Sequence, residues 1–283
     1  KLSLTNFRLY GDFEVDFEDD LTVLVGRNGS GKTAILDALS IALGTLLTSF
    51  HDKRSGNSKK QKTPGISKTD AHKVAHSQPE TRISDSNDYY PVSIKVNAIL
   101  DNVEFSWDRT LGSESGRTTW GDREVREHIA EIATKALEAD GQSTALPIIA
   151  YYGIERLVAV QKVTSIMGKS RLSAYENSLV PKSDTGRLTY YIRKLTETAF
   201  MDHARTGTTV SMAFKQLEAI RSACDMSIGD TGWSAMDWDP FLEEVTFYSD
   251  NANIRLPLSS LSSGIRITAG LVLDIASRMA RAN

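Results

Sequence analysis

The residues best suited to chemistry stand near the front of the chain. Gly26-Arg27-Asn28-Gly29-Ser30-Gly31-Lys32-Thr33 reads G-x-x-x-x-G-K-[ST] without a gap. Its glycines let backbone N–H groups converge on phosphate oxygens in conformations that a side chain would block. A helix beginning here aims its positive end at the same anion. Lys32 is then expected to bridge the β- and γ-phosphates of a nucleoside triphosphate, and the Thr33 hydroxyl to ligate Mg²⁺. The whole run from Gly26 to Thr33 is therefore expected to hold ATP with Mg²⁺, with Thr33 as the metal ligand. The competing reading is a tight turn and nothing more; the Lys-Thr pair behind an apolar run weighs against it.

A second candidate lies far downstream, in Leu258-Ser259-Ser260-Leu261-Ser262-Ser263-Gly264-Ile265-Arg266. Ser262, Ser263 and Gly264 open an apolar helix carrying Ile267, Leu271, Val272, Ile275 and Met279. Taken alone, either serine reads as an N-cap. Downstream of a phosphate loop, the same triplet reads as a second phosphate-binding helix terminus, its ligand being the nucleotide held by a partner subunit.

Periodicity gives the elements that position the first site. Leu2 to Phe7 and Phe13 to Phe17 read as short strands. Leu21 to Val25 is a nearly continuous apolar run that suits a buried strand of a mixed or parallel sheet. Ile35, Leu36, Leu39, Ala42, Leu43 and Leu46 then recur at helical spacing. Strands are expected at Val92 to Leu100 and Val103 to Arg109 across the turn pair Asp101-Asn102, an amphipathic helix at Asp122 to Leu137, and a buried strand at Leu146 to Tyr152. Helices are expected at Arg187 to Ala204, Thr209 to Ala223 and Ser262 to Ala282, with a strand at Val245 to Tyr248. The Asp237-Trp238-Asp239-Pro240 stretch reads as a turn whose carboxylates have no catalytic partner beside them.

Composition narrows the class. With 283 residues, 40% of them hydrophobic and 24% charged, the chain has the make-up of a soluble globular protein. No apolar stretch is long enough to span a bilayer and the first residues lack the apolar region of a signal peptide, so a cytoplasmic protein with no membrane partner is expected. A single cysteine, Cys224, permits no intrachain disulfide and reads as a small core residue. A net charge of −3 carries no global nucleic-acid signature. The one basic run, Lys53, Arg54, Lys59, Lys60, Lys62, Lys68 and Lys73, falls in a polar insertion over about 51–90, read as a disordered, solvated loop; a nucleic-acid-binding loop is the alternative. Trp107 and Arg109 read either as cover for the exposed face of a strand or as a base-stacking pair.

The two glycine-serine motifs, in this order, resemble the ATP-binding cassette superfamily, and within it the structural-maintenance-of-chromosomes and RecF-like branch. Leu4-Thr5-Asn6-Phe7-Arg8 is similar to the strand that opens such ATPase heads, and Leu261-Ser262-Ser263-Gly264 stands where they carry Leu-Ser-Gly-Gly-Gln. Ser263 replaces the first glycine and Ile265 the glutamine, so the match is partial. A narrower resemblance rests on Trp107-Asp108-Arg109, Ala150-Tyr151-Tyr152-Gly153 with Arg156, Leu261 to Gly264, and Asp274 with Arg278-Met279-Ala280. These are similar to the AAA-type ATPases of bacterial defence islands, above all the PtuA-type ATPase of Septu and retron systems.

The resemblance implies an α/β fold of the ABC or SMC-head type, with a mixed sheet, an antiparallel lobe and a helical lobe. It divides one ATPase head into a P-loop lobe over 1–160, a helical lobe over 161–245, and a signature strand and helix over 246–283 returning to the core. It implies ATPase activity, a head-to-tail homodimer with ATP between one subunit's phosphate loop and the other's Ser262-Ser263-Gly264, a partner HNH nuclease, and in some systems a retron reverse transcriptase with its DNA–RNA product. A repair or recombination ATPase acting directly on DNA is the alternative. The family's apolar strand ending in Asp-Glu does not occur before Asn283, so hydrolysis receives no catalytic residues here. A Mg²⁺-sensing glutamine is expected just after Tyr152, with Gln161 the nearest candidate, while Arg156 faces either phosphate or a neighbouring carboxylate.

Overall fold

The computed structural model describes residues 1–50, 62–75, 86–138, 144–153, 170–180 and 185–283. Lys53, Arg54, Lys59, Lys60, Arg156 and Gln161 lie outside them. The chain divides into two compact units, the first reaching Ala133 and the second running from Thr134 to Asn283.

In chain order the first unit carries β1 (Leu2–Phe7), β2 (Tyr10–Val15), α1 (Lys32–Leu47), β3 (His72–Ala75), β4 (Ser86–Tyr89), β5 (Val92–Leu100), β6 (Val103–Leu111) and most of α2 (Arg123–Leu137). Four of the strands form one antiparallel sheet in the order β2-β1-β5-β6, and β3 pairs with β4 in a separate hairpin. Period-2 patterning fixes the register. Leu2, Val96 and Trp107 stand in one row across the sheet and Leu4, Ile94 and Arg109 in the next. All six are buried, because a strand sends alternate side chains to one face. Asp101 and Asn102 close the β5–β6 hairpin, both at positive φ (53° and 62°), the conformation a two-residue turn needs to match the twist of its strands.

Helix α1 lays Ala34, Ile35, Ala38, Ile41 and Ala42 into the buried interior of this unit and contacts β1, β5 and β6. Two hydrogen bonds fix its rotation: Trp107 Nε1 donates to Ala42 O at 3.0 Å and Arg109 Nη1 to Ile41 O at 2.9 Å. Trp107 and Arg109 are thus neither strand cover nor a stacking pair. Their positions on β6 are the inward ones. Arg109 has no carboxylate partner among the described residues; it leans on Thr119 O and on the face of Trp120, 5.5 Å from the ring centroid. Burial pushes its guanidinium down to about 10.

Two expected strands are not formed. Leu21 to Val25 takes no regular structure and pairs with no described strand, with Leu21, Val23 and Val25 exposed at 73%, 70% and 90%. An apolar run states which environment suits it; a strand also needs a hydrogen-bonding neighbour, and no described strand pairs with this one. Leu146 to Tyr152 likewise forms no ladder. Single contacts hold it instead: Tyr151 N donates to Ser178 O at 2.7 Å, Tyr175 Oη to Pro147 O at 2.5 Å, and Leu146 N to Asn283 Oδ1 at 2.7 Å. The polar insertion is not wholly without structure either. Besides the β3–β4 hairpin it contains a turn at Lys68–Asp70, and Ile66, Asp70 and Ala71 are buried.

The second unit carries α3 (Thr185–Thr206), α4 (Met212–Ile228), β7 (Trp233–Asp239), β8 (Glu244–Ser249), β9 (Ile254–Pro257) and α5 (Ser263–Ala282). The three strands form an antiparallel sheet in the order β7-β8-β9. Leu188, Ile192, Leu195, Leu217, Ile220, Met236, Phe247, Ala269 and Leu273 share one apolar core. Ser211 caps α4, its hydroxyl accepting from Phe214 N at 3.2 Å. Strand β7 takes Asp237 to Asp239 of the stretch read as a turn, and the turn itself begins at Pro240. A bulge between Ser234 and Asp237, with Ala235 at φ 48°, breaks the period by which a strand is recognised. Asp237 pairs with Arg221 at 2.7 Å, and Asp239 accepts from the Phe241 and Leu242 amides.

Cys224 is fully buried in this core, and burial pushes its thiol up to about 12. Because the thiolate is the reactive form, native protein at pH 8 is expected to stay unlabelled by a thiol reagent over minutes and to take up one equivalent once unfolded. Rapid labelling of the native chain would contradict this packing. No described helix is long and apolar enough to cross a membrane.

Candidate functional site

The phosphate-loop motif folds into an open cradle at the N-terminus of α1. Gly29 and Gly31 both take positive φ, 81° and 90°, the region where glycine alone is unstrained. Gly31 is also the residue from which α1 departs: Ile35 N donates to Gly31 O at 3.1 Å, and no side chain caps the helix. The first-turn amides therefore have no intrahelical partner, and no acidic residue in that turn offsets their charge. Ser30 N closes the loop onto Arg27 O at 3.2 Å. A Cβ on Gly26 would lie 2.6 Å from Ser30 Oγ, so a side chain there would require the Ser30 hydroxyl to turn away.

Lys32 folds back over this ring, its Nζ donating to Gly26 O at 2.7 Å and to Arg27 O at 2.8 Å. The ammonium thus sits over the loop on two carbonyls, with no ion pair to a carboxylate among the described residues. Residues Arg27 to Ser30, and Thr33, are exposed. An exposed glycine loop, an uncapped helix start and an ammonium held only on carbonyls are groups suited to a polyphosphate. Thr33 adds one hydroxyl oxygen, a hard ligand of the kind Mg²⁺ accepts. Among the described residues no group of three or more His, Cys, Asp or Glu side chains could hold a metal ion.

The turn between β1 and β2, to which sequence reasoning gave no role, packs against this loop. Tyr10 Oη donates to Ser30 O at 3.3 Å, and a Cβ on Gly31 would collide with the Tyr10 hydroxyl and lie 3.0 Å from Leu9 Cδ2. Arg8, two residues earlier, forms ion pairs with Asp70 at 2.8 Å and with Asp37 of α1 at 2.6 Å. Burial works against the Arg8 charge, but the bonds to Asp70 and Asp37 outweigh it and raise its pKa. Arg8 is visible in the opening motif; the positive φ of Asn6 and Arg8 (52° each) that throws the turn onto the loop leaves no mark in the sequence.

The second motif lies in the other unit. Ser262 holds the N-cap position of α5, yet its hydroxyl makes no capping bond, so the simple N-cap reading does not hold. Leu261 anchors the segment in the core, while Ser262, Ser263 and Gly264 are exposed. Arg266 Nη1 bonds Ser259 O at 3.2 Å, and Ser259 Oγ bonds Glu244 at 2.7 Å, which fixes the approach to the helix.

Other residues quoted with these motifs also meet in this unit. Tyr152 Oη donates to Asp274 Oδ2 at 2.6 Å, and Arg278 Nε reaches the same oxygen at 2.8 Å. Arg278 Nη1 continues to Ala174 O at 2.5 Å. With Arg278 buried and Tyr152 and Asp274 half-buried, this Tyr-Asp-Arg chain ties α5 to the segment before Gly153.

The family model described as an AAA domain matches residues 1–204. The chain is 27% identical over 214 residues to the retron Ec83 probable ATPase of Escherichia coli, covering 72% of this chain and 36% of that protein. It is 24% identical over 181 residues to the retron Vc95 probable ATPase of Vibrio cholerae, covering 62% of this chain and 32% of that protein. A shorter stretch of 41 residues is 42% identical to the DNA replication and repair protein RecF of Oceanobacillus iheyensis, 14% of this chain and 11% of that protein. The chain thus spans about a third of the length of the two retron relatives it matches.

Proposed function

Because the chain belongs to the AAA domain family, we propose that it binds and turns over ATP as a regulatory subunit of an antiphage complex of the Septu or retron type. The observation that carries this reading is the open cradle from Gly26 to Thr33, with Lys32 folded over it on two carbonyls. The two longest matches are named as probable retron ATPases, which supports the defence context over others available to the family.

In this proposal the amides of Asn28 to Lys32 and the ammonium of Lys32 hold the phosphate oxygens, and the Thr33 hydroxyl completes the shell of Mg²⁺. Bound ATP supplies a terminal phosphoryl group whose presence distinguishes two states of the protein. Ser262, Ser263 and Gly264, exposed and uncapped at the start of α5, bind the nucleotide held by a second copy in a head-to-tail dimer. Closing and opening that dimer controls a partner HNH nuclease, joined in some systems by a reverse transcriptase with its DNA–RNA product.

The RecF-like stretch raises a second reading, an ATPase acting on DNA itself. Two of the three described lysines of the basic run favour the first: Lys68 lies 3.5 Å from Glu114 and Lys73 lies 3.3 Å from Asp88, which leaves only Lys62 of the three without an ion pair among the described residues. Purification from the native operon followed by mass spectrometry separates the readings. A nuclease subunit should co-purify with the wild-type protein, and bound nucleotide should disappear in Lys32→Ala. Recovery of the protein alone, or with DNA only, would favour the RecF-like reading.

A further inference from the structure

We infer that Asp70 is a positioning residue for the phosphate loop, acting through Arg8 on Gly31 and the first turns of α1. The inference rests on the reading of Gly26 to Thr33 as the nucleotide site and concerns what holds that site in shape.

Asp70 belongs to the polar insertion, remote in sequence from the loop, yet it is buried. One carboxylate oxygen accepts from Arg8 Nε at 2.8 Å. The other accepts from Ser67 N and Ser67 Oγ, each at 2.9 Å. The Asp70 carbonyl accepts from Arg8 N at 2.7 Å. On the other side of Arg8, its own carbonyl lies 2.6 Å from His72 Nδ1, and Phe7 bridges Ala71. The segment from Ser67 to His72 therefore grips Arg8 by its amide, its carbonyl and its side chain.

That grip is needed because Arg8 stands at φ 52°, a conformation a non-glycine residue keeps only when its surroundings over-determine it. The two residues after Arg8 carry the effect to the loop. Leu9 and Tyr10 close over Gly31, and Tyr10 Oη holds Ser30 O. The second nitrogen of the guanidinium reaches Asp37 at 2.6 Å, four residues after Thr33 and so on the same face of α1. One arginine thus ties three segments that meet at the cradle, and Asp70 is the anchor furthest from any ligand. Losing its charge leaves the Arg8 guanidinium to Asp37 alone and the Arg8 backbone to its two remaining bonds, letting the turn over Gly31 relax.

The test is a double-mutant cycle read by Mg-ATP affinity, with the thermal midpoint of the nucleotide-free protein measured alongside. Asp70→Asn and Arg8→Gln should each weaken binding by about tenfold, and the double variant by about tenfold as well, because both remove one mechanical link. If Asp70→Asn does not fold, Ser67→Ala, which removes one donor to the Asp70 carboxylate, should give a weakening of about threefold. Effects that multiply in the double variant, or a lowered midpoint with unchanged affinity, would show that Asp70 merely supports the fold and overturn the inference. Wild-type protein that binds Mg-ATP no better than Lys32→Ala would overturn the nucleotide-site reading, and this inference with it.

Discussion

Replacing Lys32 by alanine is expected to weaken Mg-ATP binding by at least about a hundredfold while leaving the fold nearly as stable as before. The two effects have separate origins. In the nucleotide-free loop the ammonium holds only the carbonyls of Gly26 and Arg27, and the contact is exposed, so its removal should cost no more than about 1 kcal/mol. Toward a triphosphate the same group would make charge-assisted bonds worth roughly 1.5–3 kcal/mol each. Two of them lost corresponds to about two to four decades of affinity. Titration calorimetry with Mg-ATP reads the first effect, and a thermal melt without nucleotide reads the second. An affinity loss below about fivefold would mean that the cradle is not where phosphate binds.

The largest expected effect on stability lies behind the loop. Trp107→Ala should cost about 3–5 kcal/mol, the range for emptying a fully buried aromatic site. Trp107 sits in one row with Leu2 and Val96 and also holds the Ala42 carbonyl of α1, so its loss removes packing and frees the rotation of the phosphate-loop helix together. Trp120→Ala is the control: that ring is 57% exposed and contributes a cation–π contact to Arg109, worth about 0.5–1 kcal/mol. Denaturant melts of the two variants should differ by about 2 kcal/mol or more. Equal costs would mean that β6 does not face its tryptophan into the core.

How much of this was legible depended on whether the signal was local. The loop from Gly26 to Gly31 could be read because its glycines at fixed spacing suit a tight turn into a helix, and α1 because its apolar spacing is long and regular. The hairpin at Asp101-Asn102 was legible for a similar reason: two residues that tolerate positive φ sit between two alternating runs. Leu21 to Val25 and Leu146 to Tyr152 were misread as strands because pairing belongs to the neighbour as much as to the run itself. Strand β7 was hidden by its own bulge at Ala235. Trp107 and Arg109 suggested a surface, since a charged residue beside an aromatic one usually marks one; their common inward parity on β6 was the overlooked clue. Nothing local joins Arg8 to Asp70 and Asp37, and that junction emerges only when the insertion folds back over the β1–β2 turn.

The most direct test of the central claim, that one copy's Gly26 to Thr33 and another's Ser262 to Gly264 close on the same nucleotide, is complementation between two defective proteins. Lys32→Ala breaks the cradle and Ser263→Arg breaks the signature terminus, so neither alone should dimerise in Mg-ATP when monitored by light scattering. Mixed, the Ser263→Arg protein still offers an intact cradle and the Lys32→Ala protein an intact terminus. The account predicts that the mixture forms dimers with one working site when Mg-ATP is added. A mixture that stays monomeric, while wild-type protein dimerises under the same conditions, would contradict the shared site.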